Sequence, residues 1–255
     1  MSADRPEDVA GLRRAGRLVA ETLAVLSDAV SPGVATKTLD RIAADLLAGA
    51  GARSGPILTY GYPGSICVCV DDEVVHGIPG PRILREGQIV TLDVAAELDG
   101  YHADAAITVP VGSIDQPSRD LITAAEDALA AGIDAARPDN TLRDVGAAVD
   151  RTARRHGFRV FRELTGHGIG RRMHEDPTVV NWPDPSATTR LIPGMVFTIE
   201  PMIGAGATRI RLDPDGWTIR TVDRSHSAHA EHTIMVADDR PLVLTAACDR
   251  AGHSG

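Results

Sequence analysis

Two carboxylates stand in stretches of the sequence that otherwise have the character of buried β-strands. Residues 89–94 are IVTLDV, so a mainly apolar strand is expected to end near Asp93. A charge in such a place is unfavourable unless it is paired or bound to a metal ion. A turn at 98–101 and an antiparallel return over 102–108 would set Asp104 beside Asp93. Two carboxylates in contact repel by about 4 kcal/mol at an effective dielectric of roughly 20, and a divalent cation between them removes that repulsion.

The second half of the chain repeats this situation. Glu200 follows the strand-like run 195–199, and Glu231 lies in another such run, 228–236. His167 stands in a glycine-rich turn, where little side-chain crowding limits the direction of the imidazole. Four carboxylates balance the charge of two divalent cations, and oxygen-rich ligands with one imidazole suit Mn, Fe, Co or Zn. The sequence therefore predicts a two-metal centre formed by Asp93, Asp104, His167, Glu200 and Glu231.

Each of these residues taken alone has an ordinary structural explanation. An aspartate at a strand end is more often a turn or capping residue. His167 alone could satisfy a loop, and Glu231 alone could be a surface glutamate in a polar run beside His229 and His232. All five together, in repeated contexts, favour the metal centre.

Helical periodicity and turn residues predict the elements that would position these groups. Apolar residues recur at three- and four-residue steps in 7–29, and a second helix is expected to begin with Thr36 as its cap. The stretch 55–64 is rich in turn residues, and 66–70 has the pattern of a strand. The predicted helices are 7–29, 36–49, 118–136 and 141–156.

Local similarity between the two halves indicates an internal duplication. The segment VHGIP at 75–79 corresponds to GHGIG at 166–170, and the glycine-led run 87–93 corresponds to 194–200. In each half two helices precede these segments. We therefore predict one α/β (α+β) domain over 1–255, in which two pseudo-symmetric halves surround a central curved antiparallel sheet with helices on its outer face.

Composition narrows the class of protein. A formal net charge of −9 argues against a nucleic-acid partner. The sequence has only three cysteines, Cys67, Cys69 and Cys248, and this small, odd number does not indicate a disulfide framework. The short lead 1–6 has no apolar signal core, no run is long and apolar enough for a membrane span, and the tail 251–255 is expected to be mobile. A cytoplasmic protein is expected.

The motifs around these residues closely resemble those of the methionine aminopeptidases of the bacterial type I class, in the M24 metallopeptidase family. The resemblance runs from about 7 to about 245 and keeps the order of the family's motifs. It implies the pita-bread fold, whose internal pseudo-two-fold agrees with the repeats. The matching segments are GYPGSIC at 61–67, EVVHGIP at 73–79, TGHGIG at 165–170, FTIEPM at 197–202 and AEHT at 230–233.

The resemblance also implies roles for individual residues. It makes Asp104 and Glu231 the bridging ligands of two divalent metal ions, whose shared water or hydroxide would be the nucleophile. Glu200 would take the proton of that water. His174 would hydrogen-bond the scissile carbonyl oxygen, and His76 would lie near the scissile nitrogen. Without the resemblance, these two histidines are ordinary polar loop residues.

The methionine pocket of the family is lined by aromatic residues and a cysteine. Met173 replaces a phenylalanine that is frequent in the family, so a pocket with looser walls is expected. Relatives also suggest a monovalent cation near Asp71 and Ser227. The residues at the positions of the methionine pocket are Tyr60, Tyr62, Cys67 and Trp217. Alternatively, Tyr62 and Trp217 have no role in binding and are aromatic residues of a turn and of the core.

The resemblance implies removal of the initiator methionine from nascent polypeptides near the ribosome, preferably before a small second residue. A monomer is expected by default. An Xaa-Pro aminopeptidase or prolidase of the same fold is the nearest alternative, but such enzymes usually carry a further N-terminal domain for which this chain has no room. A non-catalytic pita-bread binding module is the other alternative, although such proteins lose ligands that are present here. A hydrolase built on Cys67 is disfavoured, because no Gly-x-Ser-x-Gly pattern occurs and Cys67 lies inside a predicted strand.

Overall fold

The computed structural model describes residue 3 and residues 5–246 of the chain. Cys248, the predicted tail 251–255 and residues 1, 2 and 4 of the predicted lead lie outside the described residues. The four helices predicted from periodicity are confirmed to within two residues at each end. The helices are Pro6–Ala29 (α1), Thr36–Gly49 (α2), Gly55–Tyr60 (α3), Gln116–Ala135 (α4) and Leu142–Arg155 (α5).

In each half of the chain two long helices come first and the strands follow. Those of the first half are Arg53–Ser54 (β1), Cys67–Val70 (β2), Glu73–Val75 (β3), Ile89–Leu98 (β4) and Tyr101–Pro110 (β5). Those of the second half are Arg159–Val160 (β6), Gly166–Gly168 (β7), Glu175–Val179 (β8), Val196–Ile199 (β9), Met202–Gly204 (β10), Ile210–Leu212 (β11), Ile219–Thr221 (β12), Ser227–His229 (β13), Glu231–Met235 (β14) and Leu242–Val243 (β15).

A nine-stranded sheet joins the two halves. Its order is β1-β4-β5-β14-β9-β7-β8, with β2 paired to β4 and β15 paired to β14. The halves meet at the antiparallel pair β5 and β14, which share only two register pairs among the described residues. Because β4 flanks this pair on one side and β9 on the other, the sheet has the two-halved arrangement that the internal repeats predict. Two three-stranded sheets, β13-β10-β6 and β11-β12-β3, complete the fold.

Two apolar clusters hold the helices against the sheet. Leu12 of α1 is buried in one cluster with Leu92 of β4. Leu121 of α4 is buried in the other with Phe197 of β9. Successive residues of a strand point to opposite faces, so the residues that alternate with these core positions face away from the helices. The predicted helical layer on one face is confirmed, and the other face is left for a site.

A glycine allows α5 to approach the chain beside it. A Cβ placed on Gly146 would lie 2.6 Å from the carbonyl oxygen of Val180 and would also overlap that of Trp182. Neither backbone oxygen can move as a flexible side chain could. The packing of α5 therefore depends on the absence of a side chain at this position.

Four local predictions were wrong. The turn-rich stretch contains the helix α3, because the Ser54 Oγ accepts the Ile57 N–H at 3.4 Å and Gly61, at φ 66°, ends the turn. The cap of α2 is Ala35, whereas Thr36 bonds the backbone of Gly80. The run 228–236 is not one strand.

The break in that run has a backbone cause. Ala230, between β13 and β14, donates its N–H to the carbonyl oxygen of Pro201 at 3.3 Å. Strand β13 therefore pairs with β10 in a small sheet, whereas β14 joins the nine-stranded sheet. Asp93 also differs from its predicted place, because β4 continues beyond it to Leu98.

The predicted hairpin between β4 and β5 is confirmed. Leu98 pairs with Tyr101, and the two residues between them, Asp99 and Gly100, both have positive φ, at 53° and 79°. Such a turn matches the right-handed twist of the flanking strands and fixes their register. Within residues 3 and 5–246, no helix has both the length and the apolar character needed to cross a bilayer.

Candidate metal centre

The hairpin register brings the first two carboxylates to one face of the sheet. Asp93 pairs with Ala106 and Asp104 pairs with Ala95, so the carboxylates are diagonal neighbours across the two strands. Their alternation with the core residues of β4 and β5 directs both away from the helices. Asp104 is buried and Asp93 is half-buried.

The second half adds its ligand candidates to the same face. Glu200 directly follows β9, and Glu231 is the first residue of β14, so Glu231 is buried rather than a surface residue. One ligand atom from each of Asp104, His167 and Glu231 lies within 4.8 Å of the others. A second group with the same spacing contains Glu200, His229 and Glu231. Glu231 is common to both groups.

The tautomer of His167 follows from its surroundings. Its Nδ1 lies 2.9 Å from the carbonyl oxygen of Gly168, which can only accept, so Nδ1 carries the proton. The lone pair of Nε2 then faces Glu200, whose Oε1 is 3.6 Å away. A backbone carbonyl that orients an imidazole in this way is the usual support of a metal-binding histidine.

Threonine hydroxyl groups hold two of the carboxylate residues, one by its backbone and one by its side chain. The Thr233 Oγ1 accepts the Asp104 N–H at 2.9 Å and donates to the Asp104 carbonyl oxygen at 2.7 Å. Thr198 donates to Oε1 of Glu200 at 2.7 Å. We did not predict either threonine from the sequence, although each stands two residues from a predicted ligand.

Burial determines the protonation of the metal-free site. Removal from water raises the pKa of Asp93 to about 6 and that of Glu200 to about 8. The pKa values of Asp104 and Glu231 are raised well above the ordinary value, first by burial and then by neighbouring carboxylates. Burial lowers the pKa of His167 to about 3, so its imidazole is neutral. A bound cation would reverse the effect on the carboxylates by favouring their charged form.

The donor atoms fit a divalent metal ion. Asp104 Oδ1 and Glu231 Oε1 are buried without a hydrogen-bond partner among the described residues. Buried polar atoms are nearly always paired, so these two oxygens need a donor or a cation. Several carboxylate oxygens with one neutral imidazole nitrogen form a ligand set suited to Mn, Fe, Co or Zn.

A cavity of about 260 Å³ opens onto these ligand candidates. All of the predicted site residues line it, together with Pro56 and Val75, which we did not predict. Both additional residues are apolar, and such residues carry no chemical signal in a sequence. The predicted residues in the wall are Tyr60, Tyr62, Cys67, His76, Asp93, Asp104, His167, Met173, His174, Glu200, Trp217 and Glu231.

Aromatic residues form one wall of this cavity. The Tyr62 and Trp217 rings meet edge to face with centroids 5.2 Å apart, and the Tyr62 hydroxyl donates to the Gly77 carbonyl oxygen at 2.7 Å. Cys67 pairs with Asp93 across β2 and β4, and burial raises the pKa of its thiol. A protonated thiol beside two aromatic rings makes a largely apolar compartment next to the carboxylates.

Two exposed histidines stand at the mouth of the cavity. His174 stacks on His167 with ring centroids 3.9 Å apart, and the Tyr60 hydroxyl lies 2.8 Å from Nδ1 of His174. His76 has a positive φ of 57°, which directs its side chain out of the strand path. Burial lowers the pKa values of both histidines, and neighbouring histidines lower that of His174 further. Both are therefore neutral near pH 7.

The residues suggested for a monovalent cation also lie together. The Ser227 Oγ is 3.4 Å from the carbonyl oxygen of Asp71 and 3.2 Å from that of Glu73. Carbonyl and hydroxyl oxygens are the ligands that such cations take from proteins.

A family model of metallopeptidase family M24 matches residues 10–238, so the chain belongs to that family. It is 41% identical over 234 residues to the methionine aminopeptidase of Clostridium perfringens (strain 13 / Type A), with 92% of this chain and 94% of that protein covered. It matches the crystal structure of methionine aminopeptidase from Rickettsia prowazekii with a TM-score of 0.93 and 38% identity, covering 96% of this chain and 100% of that one. Within the family it belongs to the methionine aminopeptidases.

A more distant match extends the fold comparison. Prolidase from Pyrococcus furiosus has a TM-score of 0.75 at 18% identity, covering 96% of this chain and 65% of that one. A likeness at this level of identity shows the fold alone. The predicted pita-bread fold, with its curved antiparallel sheet, is confirmed by the closer structural match.

Proposed function

We propose that this protein removes the N-terminal methionine from polypeptides by hydrolysis, preferably when the second residue is small. The observation that carries the proposal is a single cavity in which buried carboxylates and His167 adjoin a compartment of aromatic and sulfur-containing side chains. The carboxylates supply a metal-dependent hydrolytic centre, and the compartment selects an apolar first residue. The methionine aminopeptidases to which the chain is similar support the same activity.

In this proposal the centre holds two divalent ions, drawn from Co, Mn, Fe and Zn. The bound ions would activate a water molecule and polarise the scissile carbonyl. Asp104 and Glu231 would be held in common by the two ions, as the resemblance implies, and Glu231 belongs to both groups of closely spaced ligand atoms. The proposed ligands are Asp93, Asp104, His167, Glu200 and Glu231.

Glu200 is the proposed proton carrier. Thr198 donates to its Oε1, which leaves Oε2 to accept a proton from the attacking water and deliver it to the leaving amine. The buried surroundings already raise the pKa of this carboxyl to about 8. A bound cation would lower that pKa, so the carboxyl would be charged and able to accept the proton when metal is present.

His174 is the proposed donor to the scissile carbonyl oxygen. Partial burial raises the pKa of the Tyr60 phenol, which keeps its proton, and in this proposal that O–H donates to Nδ1 of His174. A neutral imidazole that accepts at Nδ1 carries its proton on Nε2. That N–H can stabilise negative charge that develops on the carbonyl oxygen during attack. His76, on the opposite side of the mouth, would bind near the scissile nitrogen.

The apolar compartment is the proposed methionine pocket. Tyr62, Cys67, Trp217 and Met173 bound it beside the carboxylates, and Tyr60 stands at its mouth. Aromatic rings and a thiol make favourable contacts with the polarisable thioether of methionine. Met173 is flexible, so we expect the pocket to accept somewhat larger first residues than one closed by a phenylalanine.

The proposed setting is the cytoplasm, where residues 1–255 act as one catalytic domain of a monomer. Its substrates would be the N-termini of nascent polypeptides near the ribosome. A monovalent cation near Asp71 and Ser227 would link the loop after β2 to β13.

The function is tested with metal-stripped protein, supplied separately with Mn, Co or Fe. Release of the first residue is measured from Met-Ala-Ser and from Xaa-Pro peptides. Asp104→Asn is compared with Asp45→Asn, a matched change at an exposed residue of α2. Metal-dependent release from Met-Ala-Ser, lost in Asp104→Asn and kept in Asp45→Asn, is the expected result.

Other results would lead to other assignments. A preference for Xaa-Pro peptides would assign the protein to a proline-specific peptidase activity at the same site. Absence of release with every metal, in protein shown to be folded, would reject the enzyme and leave the binding module.

A further inference from the structure

We propose that His229 is a further ligand of the metal centre and binds, through one imidazole nitrogen, the same cation as Glu200 and Glu231. The sequence did not single out this residue as a ligand. The inference rests on the proposed metal-dependent function, and it extends the centre from one imidazole to two.

His229 is a buried imidazole whose polar atoms are unused. Its exposed fraction is 1%, and neither Nδ1 nor Nε2 has a hydrogen-bond partner within the part of the chain that the structure describes. A buried ring with both nitrogens unpaired is rare, because most buried polar atoms are satisfied by protein or water. The ring therefore has two nitrogen atoms free to bind a metal ion.

The spacing of its nearest polar neighbours suits a shared cation. Nε2 of His229 is 3.5 Å from Oε2 of Glu231, beyond the usual range of about 2.7–3.2 Å for a hydrogen bond. Two ligand atoms bonded to one ion at about 2.1 Å lie roughly 3 to 3.5 Å apart at the angles of common metal geometries. Glu200 completes the group, whose ligand atoms all lie within 4.8 Å of one another.

The backbone holds His229 in this place. Its N–H donates to Oγ1 of Thr108 at 2.9 Å, and the same hydroxyl donates to its carbonyl oxygen at 2.8 Å. Thr108 lies on β5, so this contact ties the end of β13 to the middle of the large sheet. These bonds fix the backbone of His229, and the burial of the ring limits its rotation.

A neighbouring histidine provides a comparison, because its ring has a hydrogen-bond partner. His232, three residues further on, faces Thr245, and its Nδ1 lies 2.8 Å from the Thr245 Oγ1. His232 thus has a protein partner that His229 lacks among the described residues. The two residues form a natural pair of test and control positions.

A second imidazole would alter which metal the centre prefers. Nitrogen ligands suit Fe, Co and Zn, whereas Mn is best served by oxygen. We therefore expect His229 to shift the preference of this centre towards Co and Fe and away from Mn.

The test counts the imidazoles that bind the metal. Metal-stripped wild type, His229→Gln and His232→Gln are loaded with Co(II), and the paramagnetically shifted imidazole N–H protons are recorded by proton NMR. Wild type and His232→Gln should each show two such resonances, one from His167 and one from His229, and His229→Gln should show one. Calorimetric titration should show at least tenfold weaker binding of one Co(II) by His229→Gln, with a smaller loss for Mn(II).

The result that overturns the proposal is equally direct. A single shifted resonance in wild type that persists in His229→Gln would mean that His229 at most positions Glu231. Absence of Co(II) binding by folded wild type would overturn the ligand role together with the metal centre. Two imidazole resonances without methionine release would instead keep the ligand and reject the proposed function.

Discussion

Two threonine hydroxyls form reciprocal contacts between the halves of the chain. Thr108 in the first half bonds both backbone polar groups of His229, and Thr233 in the second half bonds both backbone polar groups of Asp104. Each hydroxyl accepts one N–H and donates to one carbonyl oxygen. The pair places site residues from each half on supports that belong to the other half.

The change Thr233→Val should therefore destabilise the protein and weaken metal binding. Valine has a similar shape but leaves the buried N–H and carbonyl oxygen of Asp104 unpaired, at a cost of about 1–3 kcal/mol. Urea unfolding of the metal-free variant measures the loss of stability, and calorimetry measures the metal affinity. Thr188→Val, at an exposed position, is the control and should change neither. Equal stability of the two variants would contradict this role of Thr233.

The hydroxyl of Tyr60 is expected to act through His174. Tyr60→Phe removes the bond to Nδ1 and leaves the ring in place, so the imidazole is no longer held with its proton on Nε2. A bond worth about 1 kcal/mol corresponds to a loss in kcat of roughly fivefold. Steady-state kinetics on Met-Ala-Ser should show this loss in kcat with little change in KM. A change in KM alone would assign Tyr60 to the pocket wall.

At the scale of elements, periodicity predicted the long helices and failed for short or interrupted ones. The four predicted helices bury an apolar stripe against the sheet, and that requirement leaves a pattern in the sequence. Helix α3 has no such stripe and depends on a serine cap and a terminal glycine. The break at Ala230 depends on a contact with Pro201, far away in the sequence, which no local pattern reports.

The close approach of α5 gives a prediction at this scale. Gly146→Ala should destabilise the protein by about 1–3 kcal/mol, because the new methyl group meets two backbone oxygens. Gly49→Ala, at the end of α2, is the matched control, since a Cβ there meets no atom within 4 Å among the described residues. Thermal unfolding should lower the Tm of the first variant only. Equal Tm values would show that the backbone at Val180 and Trp182 moves to accommodate the methyl group at little cost in free energy.

At the scale of the whole molecule, the stability of the metal-free protein should fall as the pH rises above about 6.5. Glu200 has its pKa raised from 4.5 to about 8, so the folded state binds more protons than the unfolded chain in this interval. The free energy of unfolding then decreases with pH by up to about 1.4 kcal/mol per pH unit for each such group.

Buried histidines have the opposite effect on the stability at lower pH. Burial lowers the pKa of His167 and of His229 from 6.5 to about 3, so the unfolded state takes up more protons as the pH falls below about 6.5. Between about pH 4.5 and 6.5 this gain opposes the loss that comes from Glu200, so the stability of the metal-free protein should vary less with pH there than between pH 6.5 and 8. Urea unfolding between pH 5 and 8, with and without Mn(II), measures this profile. Saturating metal should abolish the decline at higher pH, and a decline of equal size with metal would contradict the site.

The sequence predicted which side chains meet in the cavity better than it predicted the path of the chain. Four carboxylates were recognisable because a charge within an apolar run needs a partner, and this holds even where the predicted end of a strand is wrong. They are Asp93, Asp104, Glu200 and Glu231. The threonine supports and His229 were not predicted, because their roles depend on contacts between distant halves. Pro56 and Val75 were missed because an apolar wall residue looks like any core residue.

The junction of β5 and β14 has a consequence for the lifetime of the protein in the cell. The two halves share two register pairs at this junction, and the proposed ligands come from both sides of it. A cation bound there would connect the two halves through its ligands and so stabilise their contact. When metal is scarce, the metal-free chain would open more often and be exposed to proteases, which cleave open states. The abundance of the protein would then follow the supply of the ion that it needs, without any separate sensor.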